Sequence, residues 1–293
     1  MKGLYLVLLS LLMLAQIGIA QETSSDAKNP EAGNAYNNGL DLAKKGDFKS
    51  AVPKFQEAIS ASPNFYEAYY RIGYSQKKLN KYKEAGNSFE KAIEANSKFE
   101  KAFIALGNLQ TEMEDFDAAI NSYNAVVVFN DQSARAHFGV GNVYYKKKSY
   151  TQAIPSLRKA VELNGNYDHA FNVLGLCQTK ENQLNDAVGS FQSAIKVTKK
   201  NSRKGSYNFR LGGIQSKLKK YKEAEKSYLS ALKFSKSQSI IGGSNFGLGE
   251  VYKKLGRKDK ALTYFKKAAR NRQWKASAEY EIDMILNPDK YAY

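Results

Sequence analysis

The chain has 293 residues, with 45 Lys and Arg against 28 Asp and Glu for a formal net charge of +17, and it carries one Cys and two His. One cysteine excludes an internal disulfide, and one Cys with two His excludes a tetrahedral zinc site made of those ligands. At 43% hydrophobic and 12% aromatic residues, wholesale disorder is excluded as well.

In chain order, the first predicted element is an export signal. Lys2 precedes an apolar run from Leu4 to Ile19, and Gly18-Ile19-Ala20 supplies small residues at the cleavage-determining positions, so residues 1–20 read as a secretory signal cut after Ala20. The apolar run is long for a signal, which leaves an uncleaved N-terminal anchor as the alternative. Gln21 rather than Cys follows the cut, so no lipoprotein anchor is expected. The expected location is the periplasm or cell envelope, or outside the cell. Residues 21–31, rich in Ser, Asp, Asn and Pro, read as a flexible leader. No stretch after the signal is apolar for long enough to span a bilayer.

A repeat follows. Glycines fall at Gly39, Gly73, Gly107, Gly141 and Gly175, 34 residues apart, and then at Gly212 and Gly249, 37 apart. Twelve residues after each stands an alanine: Ala51, Ala85, Ala119, Ala153, Ala187, Ala224 and Ala261. Four further on is a large apolar residue (Phe55, Phe89, Tyr123, Leu157, Phe191, Tyr228, Phe265), and three beyond that a small one (Ala58, Ala92, Val126, Ala160, Ala194, Ala231, Ala268). Steps of three and four, as in Tyr69, Ile72, Gly73 and then Ala85, Phe89, Ala92, Ile93, predict two amphipathic helices per unit with a turn at Leu79-Asn80-Lys81-Tyr82. A lone helix pair cannot bury both apolar faces, whereas stacked copies can.

The pattern resembles the tetratricopeptide repeat family. Leu40 after Gly39, then Phe48, Ala51, Phe55, Ala58 and Pro63 follow its motif, as do Leu106-Gly107 and Leu174-Gly175. The resemblance implies an all-α fold, a right-handed α-solenoid of about seven helix-turn-helix repeats at 32–65, 66–99, 100–133, 134–167, 168–201, 205–238 and 242–275. Three extra residues after each of the fifth and sixth units are expected to lengthen a helix end or loop around Asn201 to Lys204 and Ser239 to Ile241. Residues 276–293 are expected to hold a capping helix, with Ala278, Ile282, Ile285 and Leu286 inward and Asn287-Pro288 as its stop.

Catalysis has little to stand on. There is no phosphate loop, dinucleotide fingerprint, nucleophile elbow or zinc-protease helix. Cys177 shares its register with Ser75, Leu109, Val143, Ile214 and Val251 and is expected to be a buried structural thiol. His137 falls in the register of Tyr69 and Phe103, in the seam, while His169 is the more exposed. No enzymatic activity, cofactor or metal is expected.

The resemblance further implies a concave groove lined by first helices, with contacts from the second, fifth, ninth and twelfth residues of each unit. Carried over, the groove candidates are Tyr36, Tyr70, Tyr74, Lys77, Asn108, Arg135, Phe138, Asn142, Tyr145, His169, Asn172 and Phe209. Aromatic rings and carboxamides suit an extended peptide, although some of the tyrosines could simply pad neighbouring helices. Asn108 and Asn142, with Arg135 nearby, echo the family's carboxylate clamp, but Ile104 and Phe138 stand where that clamp needs lysine, and clamping is not expected.

The charge is not spread evenly. Residues 196–275 hold 23 basic and 4 acidic residues, whereas residues 21–133 hold 13 and 16. Basic-face candidates in the last two units are Lys222, Lys226, Lys233, Lys258, Lys266, Lys267, Arg270 and Arg272, expected on the convex side. The leading reading is an exported, non-enzymatic protein–protein interaction scaffold. A protein acting through the basic face on an anionic envelope component (lipid headgroup, cell wall or acidic protein) stays open, as does an accessory subunit of an exported enzyme or secretion system. Nucleic acid is disfavoured as a partner because the block lacks interleaved aromatics.

Overall fold

A computed structural model describes residues 29–291; the expected export signal and residues 21–28 of the expected flexible leader lie outside them, while Pro30 and Glu31, assigned to that leader, instead open the first helix. Every regular element among the described residues is helical. Seven hairpins are formed by α1 (Pro30–Lys44) with α2 (Phe48–Ala61), α3 (Tyr66–Lys78) with α4 (Tyr82–Ala95), α5 (Glu100–Glu112) with α6 (Phe116–Phe129), α7 (Ala134–Lys146) with α8 (Tyr150–Leu163), α9 (Asp168–Lys180) with α10 (Leu184–Val197), α11 (Asn201–Lys217) with α12 (Tyr221–Phe234), and α13 (Gln238–Lys254) with α14 (Lys258–Ala268). A last helix, α15 (Lys275–Leu286), and a 3₁₀ turn (Pro288–Tyr291) close the chain of elements. The backbone divides into two compact units after Leu109, within α5. Within the units, α2 packs between α1 and α3, and α8, α10 and α12 likewise each pack between their own first helix and the next one, the α-solenoid arrangement.

The glycine column is explained by close approach. A Cβ on Gly141 would sit 2.6 Å from Leu157 Cγ, and one on Gly73 would sit 2.7 Å from Phe89 Cε1. The large residue of the second helix therefore lies directly on the backbone of the first. The alanine and aromatic columns are fully buried, with Ala51, Phe55, Ala187 and Phe191 at 0% exposure.

One further column recurs in all seven hairpins and another in four of them. The fifteenth residue of every repeat has left-handed backbone: Gly46 and Gly256 do, and so do Asn80, Glu114, Lys148, Asn182 and Lys219, with φ between +56° and +62° in these five. This residue ends the first helix and turns the chain into the second. Within the hairpins, Ser88, Ser122, Ser190 and Ser227 each donate a 2.7 Å hydrogen bond to Gln76, Gln110, Gln178 and Gln215 respectively. In the seventh hairpin the same two places hold Tyr252 and Tyr264, whose rings stack 5.4 Å apart.

The three-residue insertions lengthen first helices: α11 and α13 have 17 residues where α3, α7 and α9 have 13. The added turn of α11 carries Arg203, whose Nη1 donates to both carboxylate oxygens of Asp168 at 3.0 and 3.1 Å, joining the fifth and sixth repeats. At the end, α15 buries Ala278 and leans Ile282 and Ile285 on the last core cluster. Leu286, expected to face inward, is 57% exposed. The helix stops at that residue, and Asp283 instead holds the following turn back through Asn287, Lys290 and Tyr291.

Candidate functional site

In the first unit, α3 is amphipathic because Ala68, Ile72, Gly73 and Ser75 face the seam, which leaves Tyr70, Tyr74 and Lys77 on its other side. These three, with Asn108, line one cleft of about 370 Å³ that also takes in Lys78, Asn80, Tyr82, Phe89 and Ala105. Tyr74 is 39% exposed, with the Lys78 ammonium 5.5 Å from its ring centroid. Tyr70 is half-buried, its ring 5.8 Å from Phe89 and 5.5 Å edge-on from Phe99. Tyr36 is packed between Phe55 and Phe65, at 5.6 and 4.8 Å, and its hydroxyl accepts from Arg71 Nε at 3.3 Å. It pads the first hairpin against the second rather than presenting a free face.

In the second unit, Arg135 and His169 are exposed, and Phe138, Asn142, Tyr145 and Phe209 are half-buried. Phe138 lies 4.8 Å from Tyr167 and Tyr145 lies 5.9 Å from Tyr150. Phe209 reaches across to α13, where a Cβ on Gly243 would meet its ring at 2.8 Å. Asn172 is only 8% exposed, and its Oδ1 accepts a hydrogen bond from Arg210.

Arg210 is the residue that position-by-position reading passes over, because it sits one place after the fifth-residue column. It is half-buried, and burial pulls its guanidinium below the usual arginine range, with Tyr145 and Tyr207 nearby opposing the shift. Among the described residues no carboxylate pairs with it. Arg71, one place after Tyr70 in the second repeat, holds the equivalent position. A cation at this register in an otherwise uncharged stretch, Gly205 to Ser216, is the signal that marks it.

Cys177 is fully buried and burial pushes its thiol up to about 12, so it is not a nucleophile near neutral pH. Burial lowers the imidazole pKa of His169; Arg203 adds to the shift and Asp168 opposes it. His137 is half-buried with Nε2 3.0 Å from the Asp131 carbonyl. The eight basic-face candidates, Lys222, Lys226, Lys233, Lys258, Lys266, Lys267, Arg270 and Arg272, are all exposed. Among the described residues no cluster of His, Cys, Asp and Glu could hold a metal ion, and no helix is long and apolar enough to cross a membrane.

Comparison with known proteins agrees with this geometry. Two family profiles, both described as tetratricopeptide repeat, match residues 104–168 and residues 66–99, 205–238 and 243–273. The C-terminal part of a repeat-containing protein from Cytophaga hutchinsonii is 17% identical, with a TM-score of 0.68 over 84% of this chain and 99% of that one. A tetratricopeptide repeat protein from Parabacteroides merdae is 19% identical, with a TM-score of 0.58 over 88% of this chain and 99% of that one. For pilF of Pseudomonas aeruginosa the values are 18% and 0.59, over 71% and 92%. At these identities the likeness is one of fold. No curated protein sequence matches the chain.

Proposed function

Since this chain belongs to the tetratricopeptide repeat family, whose profiles match more than half of it, we propose that it is an exported, non-enzymatic scaffold whose first helices hold a segment of a partner protein. The apolar leader of residues 1–20 supports export. The inert state of Cys177 supports a role without catalysis.

The observation that carries the groove reading is Arg210. A guanidinium withdrawn from water without a carboxylate beside it is costly, and Asn172, a neutral acceptor, offsets only part of that cost. The arrangement favours a partner that brings a carboxylate to Arg210, with Asn142 and Tyr145 contacting the flanking chain. Tyr74 and its cleft supply a second, aromatic contact region in the first unit.

Photo-crosslinkers replacing Tyr74 and Asn142 test the reading. Both are expected to capture the same partner, and Arg210→Gln is expected to weaken its binding at least tenfold, from the loss of about 2 kcal/mol. Crosslinkers at Lys226 and Lys266, on second helices, are the comparison, and capture restricted to those two would refute groove binding. Undiminished affinity in Arg210→Gln would remove the carboxylate from the account while leaving the groove.

A further inference from the structure

The groove leaves the largest electrostatic feature of the molecule unused. Helix α12 packs between α11 and α13, burying Ala224, Ser227, Tyr228 and Ala231. At about 100° per residue, Lys222, Lys226 and Lys233 then fall together on the side opposite that packed face. Lys233 repeats, one unit later, the place of exposed Lys196 on α10, and Arg270 follows at the same repeat position just beyond α14. Lys266 takes the outward side of α14 itself. Asp186, Glu223 and Asp259, in the first turns of α10, α12 and α14, are carboxylates at the edge of this surface, and Asp186 is paired with Arg158 at 3.4 Å. Glu225 is turned to the Tyr252 hydroxyl, which donates to it at 2.7 Å.

None of Lys196, Lys222, Lys226, Lys233, Lys266 or Arg270 makes an ion pair with a described residue. Lys233 lies 5.5 Å from the centroid of the neighbouring Phe234 ring, and none of the six is neutralised by a carboxylate. They are also arranged in two dimensions, along about 16 Å of α12 and across three successive repeats, rather than along a channel that would track a single strand. At the centre of the α12 row stands Leu229, 39% exposed, an apolar side chain among the lysines. The well-exposed aromatics Tyr74, Tyr82 and Tyr280 lie on other helices, so this face offers no platform for stacking bases.

We propose that the outward face of α10, α12 and α14 docks on an anionic lipid surface, with the lysine and arginine side chains among the headgroups and Leu229 at the boundary of the acyl region. Lysine ammonium groups on flexible stems suit a fluid array of headgroups whose positions are not fixed. The cations here number enough for reversible attachment driven by surface potential, and that attachment weakens as salt screens it. The face is built on second helices and the groove on first helices, so the two are separable.

The test is cosedimentation of the full chain with phosphatidylcholine vesicles and with vesicles containing phosphatidylglycerol, at low and raised salt. The neutral vesicles report whatever the apolar leader contributes. The preference for the anionic vesicles is expected to fall at least about tenfold in the combined variant Lys226→Gln, Lys233→Gln, Lys266→Gln and Arg270→Gln, with circular dichroism unchanged, and to survive Tyr74→Ala. Leu229→Ser is expected to weaken it by a smaller factor. Equal binding to both vesicle types, or an anionic preference unchanged in the combined variant, overturns the proposal. Binding of soluble polyphosphate or an acidic peptide in the absence of vesicle binding overturns it in favour of a polyanion or an acidic protein.

Discussion

At the residue scale, the inter-helix turns show a cost that the sequence tolerates. Left-handed backbone is natural for Gly46 and Gly256 and acceptable for Asn80 and Asn182, but Glu114, Lys148 and Lys219 have a Cβ that crowds the following carbonyl. Lys148 is exposed and makes no side-chain hydrogen bond or ion pair within the described residues. Lys148→Gly is therefore expected to stabilise the protein by about 0.5–1 kcal/mol, the relief of strain exceeding the added freedom of the unfolded chain. The midpoint of urea unfolding should rise, and a fall would show that this backbone is not strained. The column was hidden in the sequence because Gly, Asn, Glu and Lys share no side-chain chemistry. They share only a dihedral angle. Arg210 was hidden for a related reason: its meaning lies in the absence of a carboxylate around it, which residue type alone does not report.

At the element scale, the helices were legible because their buried faces are written in alanine, glycine and aromatic residues at fixed spacing. The polar cross-link between them was not. Gln178 is 3% exposed and Ser190 is 8% exposed, and the 2.7 Å bond between them satisfies both groups inside the hairpin. Ser190→Ala leaves the Gln178 carboxamide oxygen buried without its donor and is expected to cost about 1–2 kcal/mol. Replacing the partner as well, as Gln178→Leu with Ser190→Ala, should recover part of that loss. A thermodynamic cycle over the two sites reads the coupling, and additive effects would show that the bond contributes nothing. The insertions also acquired a role at this scale. Sequence spacing located them, while the structure shows an added helical turn that brings Arg203 to Asp168 and joins successive repeats.

At the scale of the whole molecule, the last repeat cannot be left open. In a stacked array each unit covers its neighbour, so the terminal one needs a different cover. Helix α15 supplies it, with Ala278, Ile282 and Ile285 against the cluster of Tyr252, Phe265 and Ala268, and with Trp274 stacked 5.0 Å from Phe246 at its entry. A chain ending before Lys275 is expected to unfold its seventh repeat at lower denaturant and to self-associate through the uncovered cluster. Light scattering beside a denaturation curve checks this, and a monomeric chain of unchanged stability would show that α15 is not a cap.

What the sequence determined by itself is periodic: the number of repeats, the two helices in each, the glycine that admits an aromatic ring, and the block that holds the excess charge. These depend on local spacing, and a helix of fixed pitch turns spacing directly into faces. The tertiary structure decided which of those faces are free. It packed Tyr36, half-buried, against the core, tied Asn172 to Arg210, gathered Tyr70, Tyr74, Lys77 and Asn108 into one cleft, and left the outward lysines without carboxylate partners. Pairing and exposure arise between residues some 35 positions apart in the chain, at a range where one-dimensional spacing carries no information about charge or contact.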